Sequence, residues 1–166
     1  VTQSPFLTLV FSLAIGAGVG FVNGFITAKG RIPAFITTLA TMQIFRGISF
    51  IYTGGNPVSV FDEGFTQFGT GYVGAIPLPV VLMAAVVAVG IFITKYTRFG
   101  RHIYAVGGNS KASQWSGISV DRIKIGVFTL SGLFTGLAGL VMAARLGSGQ
   151  PSAADGFEMD VIAAVI

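Results

Sequence analysis

The chain contains no cysteine in its 166 residues. A disulfide frame, a thiolate metal site and a cysteine nucleophile are therefore all excluded, and the redox compartment cannot be read from thiol usage. Histidine occurs once, at His102 in a basic stretch, with no second imidazole to complete a metal site and no paired carboxylate for acid and base work. No metal or other cofactor is expected. No Gly-Lys pair exists anywhere, so the phosphate loop G-x-x-x-x-G-K-[ST] is absent and the chain is not expected to hydrolyse ATP itself. Charge is scarce too, at 10% of residues where an ordinary soluble domain has roughly 25%. A soluble globule is a poor fit to such a composition.

Apolar residues make up 52% of the chain, with 24 glycines, 15 phenylalanines and a mean hydropathy of +0.80. This suits helices that meet lipid on one side and pack closely on the other. Disorder is excluded, because so much apolar surface does not stay solvated. Pro5 to Ala28 runs 24 residues without a charge, Ile32 to Thr53 is interrupted only by Arg46, Ile76 to Thr94 has 19 uncharged residues, and Ile125 to Ala144 has 20. At about 1.5 Å per residue each spans a hydrocarbon core of about 30 Å. The first run is not expected to be a signal peptide, since its basic residues, Lys29 and Arg31, follow it instead of preceding it. Met159 to Ile166 turns apolar again, which predicts a fifth hydrophobic segment cut short and a chain that is a fragment of a longer one.

The loop charges sort by position. Lys29 and Arg31 lie between the first two runs; Lys95, Arg98, Arg101, Lys111, Arg122 and Lys124, opposed by Asp121 alone, lie between the third and fourth. Asp62 and Glu63 lie in the second connection, and Arg145 with Asp155, Glu158 and Asp160 follows the fourth run. Eight of ten basic residues thus occupy alternate loops, which predicts four crossings with those loops cytoplasmic and Val1 outside. The same distribution turns the net charge of +4 away from nucleic acid, which is not an expected partner, and toward the lipid bilayer. The fold class predicted is an all-α integral membrane protein, a polytopic helical bundle forming one transmembrane domain over 1–166, with a cytoplasmic loop at 95–124.

Local signals refine this plan. Gly54, Gly55, Asn56 and Pro57 end the second run, and Pro77 and Pro79 fall where the third helix starts. Ser119 is expected to cap the fourth helix, with Asp121 in its first turn, so that this helix begins before the membrane does. Gly16, Gly20 and Gly24 repeat at G-x-x-x-G spacing, as do Gly132 and Gly136; general tight packing and a dedicated dimer face are the two readings. Gly69, Gly71 and Gly74 match G-x-G-x-x-G, but the prolines that follow argue against a dinucleotide fingerprint.

Functional candidates fall in three places. Thr37, Thr38, Thr41, Gln43 and Arg46 on the second run are candidates for a polar translocation pathway, with bonding to their own backbone or a neighbouring helix as the competing reading. Arg46 is expected to snorkel outward, to pair with Glu158 or Asp160, or to line a wet cavity. In the long basic loop, Gly107 and Gly108 read as a turn, Asn109 or Ser110 as a cap, Lys111 to Ser116 as a short helix, and Gly117 as its stop at positive φ. So short a helix needs something to pack on, either the lipid surface through Trp115 or a cytoplasmic partner. Arg145, the only basic residue expected outside, is a candidate contact for an external protein or a partner of Asp155, Glu158 or Asp160.

Longer stretches carry a resemblance. Ala28-Lys29-Gly30-Arg31, Phe35-Ile36-Thr37-Thr38-Leu39, Tyr52-Thr53-Gly54-Gly55, Thr97-Arg98-Phe99-Gly100-Arg101, Gly107-Gly108-Asn109, Ser116-Gly117-Ile118-Ser119-Val120-Asp121-Arg122 and Ala144-Arg145-Leu146-Gly147-Ser148-Gly149-Gln150-Pro151 resemble the permease subunits of bacterial ABC importers for sugars, most closely the ribose permease group. The resemblance covers nearly the whole chain. It implies a multi-pass protein of the bacterial cytoplasmic (inner) membrane that moves a ribose-like monosaccharide by alternating access. Its implied partners are a second permease subunit, most simply a homodimer, cytoplasmic ABC ATPase subunits, and an extracytoplasmic sugar-binding protein. It also implies an ATPase-coupling loop of the form Glu-Ala-Ala-x-x-x-Gly, onto which Lys111, Ala112, Ser113 and Gly117 fall, within a wider set that includes Gly107, Gly108, Asn109 and Trp115. Lys111 stands where the family has an acidic residue. An ion-coupled or facilitative sugar carrier and a small helical channel are the alternatives, the former weakened because the four runs contain no Asp or Glu.

Overall fold

The computed structural model describes residues 5–59 and 63–165. The expected outside placement of Val1 and of Asp62 lies beyond the described residues, as does the final Ile166. Among the described residues, eight helices and four two-residue strands follow one another as α1 (Pro5–Gly30), α2 (Ala34–Thr53), β1 (Val58–Ser59), α3 (Glu63–Thr70), β2 (Tyr72–Val73), β3 (Ile76–Pro77), α4 (Leu78–Tyr96), α5 (Arg98–Gly108), α6 (Ser110–Trp115), α7 (Val120–Leu146), β4 (Ser148–Gly149) and α8 (Phe157–Val165). Of these, α1, α2, α4 and α7 are long and apolar enough to cross a membrane. They coincide with the four runs read from the sequence, and α8 with the apolar tail. The fold is all-α and polytopic.

Helices α1 and α7 form the most extensive contact in the molecule, and glycine makes it possible. A Cβ added at Gly16 or Gly20 would collide with the carbonyl oxygens of Gly132 and Phe128, and one at Gly24 would stand 2.9 Å from the Ile125 Cα. The two glycine stripes therefore face each other, and backbone meets backbone with nothing between. The Ser12 hydroxyl crosses the same seam, donating to the Gly136 carbonyl at 2.6 Å. Of the two readings offered by the spacing, packing within the chain is the one the stripes serve.

Toward the other end of that seam, Phe65 of α3 packs with Leu140 and Ala144 of α7 in the main buried cluster, flanked by Leu9, Phe68, Val141 and Ala143. Elsewhere apolar side chains face outward: no residue of α4 is buried, and Phe6, Phe11, Ile51 and Phe92 are all exposed. In water such a surface would aggregate, whereas against lipid it is the solvated face.

The connections gather at two ends. At one, β1 pairs antiparallel with β4, Val58 opposite Gly149, so the segment after α2 meets the segment after α7. At the other, the α1–α2 turn lies beside α6 and the start of α7. This is the grouping that alternate crossings require. Three local readings need correction. Ser119 holds the N-cap position of α7 but makes no side-chain cap bond. Gly107 and Gly108 are the last residues of α5, the chain turning at Asn109 instead. The stretch from 98 to 108 is helical: Thr97 caps it, accepting from the Gly100 N–H at 3.1 Å, and Phe99, Ile103 and Val106 supply a helical apolar period.

Candidate functional site

The short helix α6 is fixed at both ends by side-chain and backbone chemistry. At its start the Asn109 Oδ1 accepts from the Ala112 N–H at 3.0 Å, satisfying a donor that the first turn leaves free. At its end Ile118 N–H donates to the Ser113 carbonyl and Gly117 N–H to that of Gln114, both at 3.0 Å, with Gly117 at φ 82°. That is a Schellman closure, and it needs a residue that tolerates the left-handed region. Between these ends Ser113 is buried, while Lys111, Ala112 and Trp115 are exposed, Trp115 to 87%. The helix rests on α5 and α7 and presents one face outward.

A second arrangement lies inside the bundle. A cavity of about 820 Å³ opens between α1, α2 and α7, and Thr38 and Thr41 line it. So do Asn23, Ser12, Ser131 and Thr135, which the sequence reading did not single out. Asn23 left a usable signal, being the only amide side chain in the first apolar run. The Thr41 hydroxyl donates to the Asn23 Oδ1 at 2.6 Å and lies 2.8 Å from the Thr37 carbonyl, so it joins α2 to α1 across the cavity wall. Thr37 is buried with its hydroxyl 3.4 Å from the Pro33 carbonyl, and the Thr38 hydroxyl contacts the Ala34 carbonyl at 3.0 Å. Gln43 is exposed and does not line the cavity.

Arg46 is drawn toward a surface carboxylate, though not one of the two expected. Its Nη1 meets the Asp155 Oδ1 at 2.6 Å, so its partner is neither Glu158 nor Asp160. Arg145 is exposed at the end of α7 and has no ion pair among the described residues; Asp155, one of its expected partners, is held by Arg46. The glycines of the G-x-G-x-x-G match close α3 and turn the β2–β3 hairpin, Gly74 standing at φ 64°, and no helix opens on the last of them.

Residues 1–166 match the family model described as branched-chain amino acid transport system / permease component. The ribose import permease protein RbsC of Haemophilus influenzae is 47% identical over 97% of this chain and 51% of its own length. RbsC of Escherichia coli K12 is 46% identical over 100% of this chain and 53% of its own length. The L-arabinose transport system permease protein AraH of the same organism is 41% identical over 100% of this chain and 53% of its own length. The chain thus spans about half the length of the curated relatives it matches, and no solved structure matches it. Its apolar helices and these relatives make it a multi-pass protein of the inner membrane, and the chain belongs to the branched-chain amino acid transport system / permease component family.

Proposed function

We propose that the chain forms part of the permease of an ABC importer that carries a ribose-like monosaccharide across the bacterial inner membrane by alternating access. The observation that carries this reading is the identity of 46–47% to two ribose import permeases over 97–100% of the chain. In this reading the chain is the conduit, with no nucleotide site of its own. Hydrolysis belongs to cytoplasmic ATPase subunits that dock on α6, at Lys111, Ala112 and Trp115. The cavity wall of Thr38, Thr41 and Asn23 contributes polar surface to the pathway, and Arg145 receives a carboxylate of an external sugar-binding protein. A second permease subunit, most simply another copy, completes the translocation path.

Uptake of labelled ribose by cells that carry the complete gene with its neighbours tests the proposal. ATP-dependent accumulation, lost when the neighbouring ATPase gene is deleted and insensitive to a protonophore when ATP is maintained, is the expected result. Uptake that survives the deletion and collapses with the protonophore would instead establish an ion-coupled carrier. Accumulation of arabinose but not ribose would reassign the cargo and leave the importer standing.

A further inference from the structure

A cleft of about 1230 Å³ lies where the α1–α2 turn, α6 and the first turns of α7 meet. Lys29, Arg31, Lys111, Arg122 and Lys124 line it against a single carboxylate, Asp121. Lys29 Nζ meets the Asp121 Oδ2 at 3.3 Å, and among the described residues the other four cations have no carboxylate in ion-pair reach. The walls are of a different character: Ile32, Ile118 and Phe128 line the same cleft. Thr27 is buried there too, and its hydroxyl has no hydrogen-bond partner among the described residues. Arg31 is held at φ 54°, a left-handed conformation that a long side chain rarely takes, at the turn bordering the cleft.

Unpaired cations above apolar walls, at the level where two apolar helices leave the bilayer, match an amphiphile. We propose that this cleft binds an anionic phospholipid, its phosphate among the basic side chains and its acyl chains along Ile32 and Phe128. Free phosphate shares the headgroup chemistry but makes no use of the apolar walls, and the cleft is far larger than one phosphate requires. An acidic protein surface fits less well, because the site is concave and the exposed Trp115 of α6 does not line it. Of the three α6 residues assigned to docking, Lys111 borders the cleft whereas Ala112 and Trp115 do not. Basic pockets at the cytoplasmic ends of membrane helices are suited to such headgroups by charge and by position.

Native mass spectrometry of the complete permease, purified in neutral detergent and supplied with phosphatidylglycerol or phosphatidylcholine, tests this. Phosphatidylglycerol is expected to be retained at a stoichiometry of one and phosphatidylcholine to be lost. The double variant Arg31→Gly, Arg122→Gln should weaken retention roughly tenfold, whereas Lys95→Gln with Arg98→Gln, two cations outside the cleft, should leave it unchanged. Glycine is chosen at 31 because it keeps the backbone turn while removing the charge, and unchanged circular dichroism confirms folding. Equal retention of both lipids, or equal loss in both double variants, would overturn the proposal. So would displacement of the lipid by millimolar inorganic phosphate, which would make the site one for a free anion. Cleft variants that keep phosphatidylglycerol but lose ATPase association would assign the cations to protein docking instead.

Discussion

Arg46 and Asp155 stand 109 residues apart in sequence and meet at 2.6 Å, binding the C-terminal half of α2 to the turn that follows β4. The arginine side chain is 21% exposed and the aspartate 64%, so the cation is the more enclosed partner and the carboxylate reaches to it from the surface. A guanidinium two-thirds of the way along an apolar helix needs an acceptor, and this one draws it away from lipid.

The first prediction follows from that asymmetry. Asp155→Asn should lower stability by about 1 kcal/mol, because it strands the enclosed cation, and Arg46→Met with Asp155→Asn should lower it less than the two single changes added together. Thermal unfolding of the four variants in one detergent measures the coupling. Strict additivity would show that the pair contributes nothing.

Packing of α1 on α7 gives the second. Gly16→Val should cost about 3 kcal/mol or prevent folding, since its Cβ would strike the backbone of the facing helix. Gly18→Val, two residues away with nothing within 4 Å of an added Cβ, should be close to neutral. Comparable protease resistance of the two variants would count against the seam.

Membrane orientation supplies the third. Ser59 in β1 and Ser110 at the start of α6 are exposed at opposite ends of the bundle, and the chain has no cysteine to interfere. Single cysteines at these sites should react with an impermeant maleimide from opposite sides, Ser59→Cys in intact cells and Ser110→Cys only after permeabilisation. Labelling of both from outside would contradict the alternate placement of basic loops.

Coupling through α6 is the fourth. Gly117→Val places a branched side chain at φ 82° and should strain the Schellman closure by about 1–2 kcal/mol, swinging the helix without disturbing insertion. In the assembled complex, sugar-stimulated ATP hydrolysis should be lost. Trp115→Ala discriminates the rival lipid-anchor role, in which the tryptophan matters most and Gly117 little. Normal stimulation in well-inserted Gly117→Val would remove α6 from the coupling path.

Arg145 provides the fifth. Exposed and free of ion pairs among the described residues, it is available to a docking protein. Arg145→Glu should weaken association with the sugar-binding protein more at low than at high ionic strength, as measured by surface plasmon resonance. Unchanged association at both would exclude the contact.

Local chemistry explains why so much of this was readable in advance. The four crossings follow from apolar length, the alternation of ends from where lysine and arginine fall, the Asn109 cap from a short amide at a helix start, and the Gly117 stop from the one residue type that takes positive φ freely. Helix α5 is the exception: Arg98, Arg101 and His102 and its two terminal glycines read as loop, although Phe99, Ile103 and Val106 follow a helical apolar period. Helix α6 rests partly on it.

What the sequence by itself determined is everything that depends on neighbours along the chain: which segments enter lipid, where they stop, and which ends share a side. Only the tertiary structure decided which of the acidic residues after α7 receives Arg46, that the glycine stripes of α1 and α7 face each other, that Asn23 joins Thr41, and that five cations from three helices and a turn border one cleft. Lipid offers no hydrophobic preference between one apolar face and another, so partners within the bundle are chosen by shape and by the few hydrogen bonds available. Those depend on how two helices are rotated against each other, a quantity that no spacing within either helix contains.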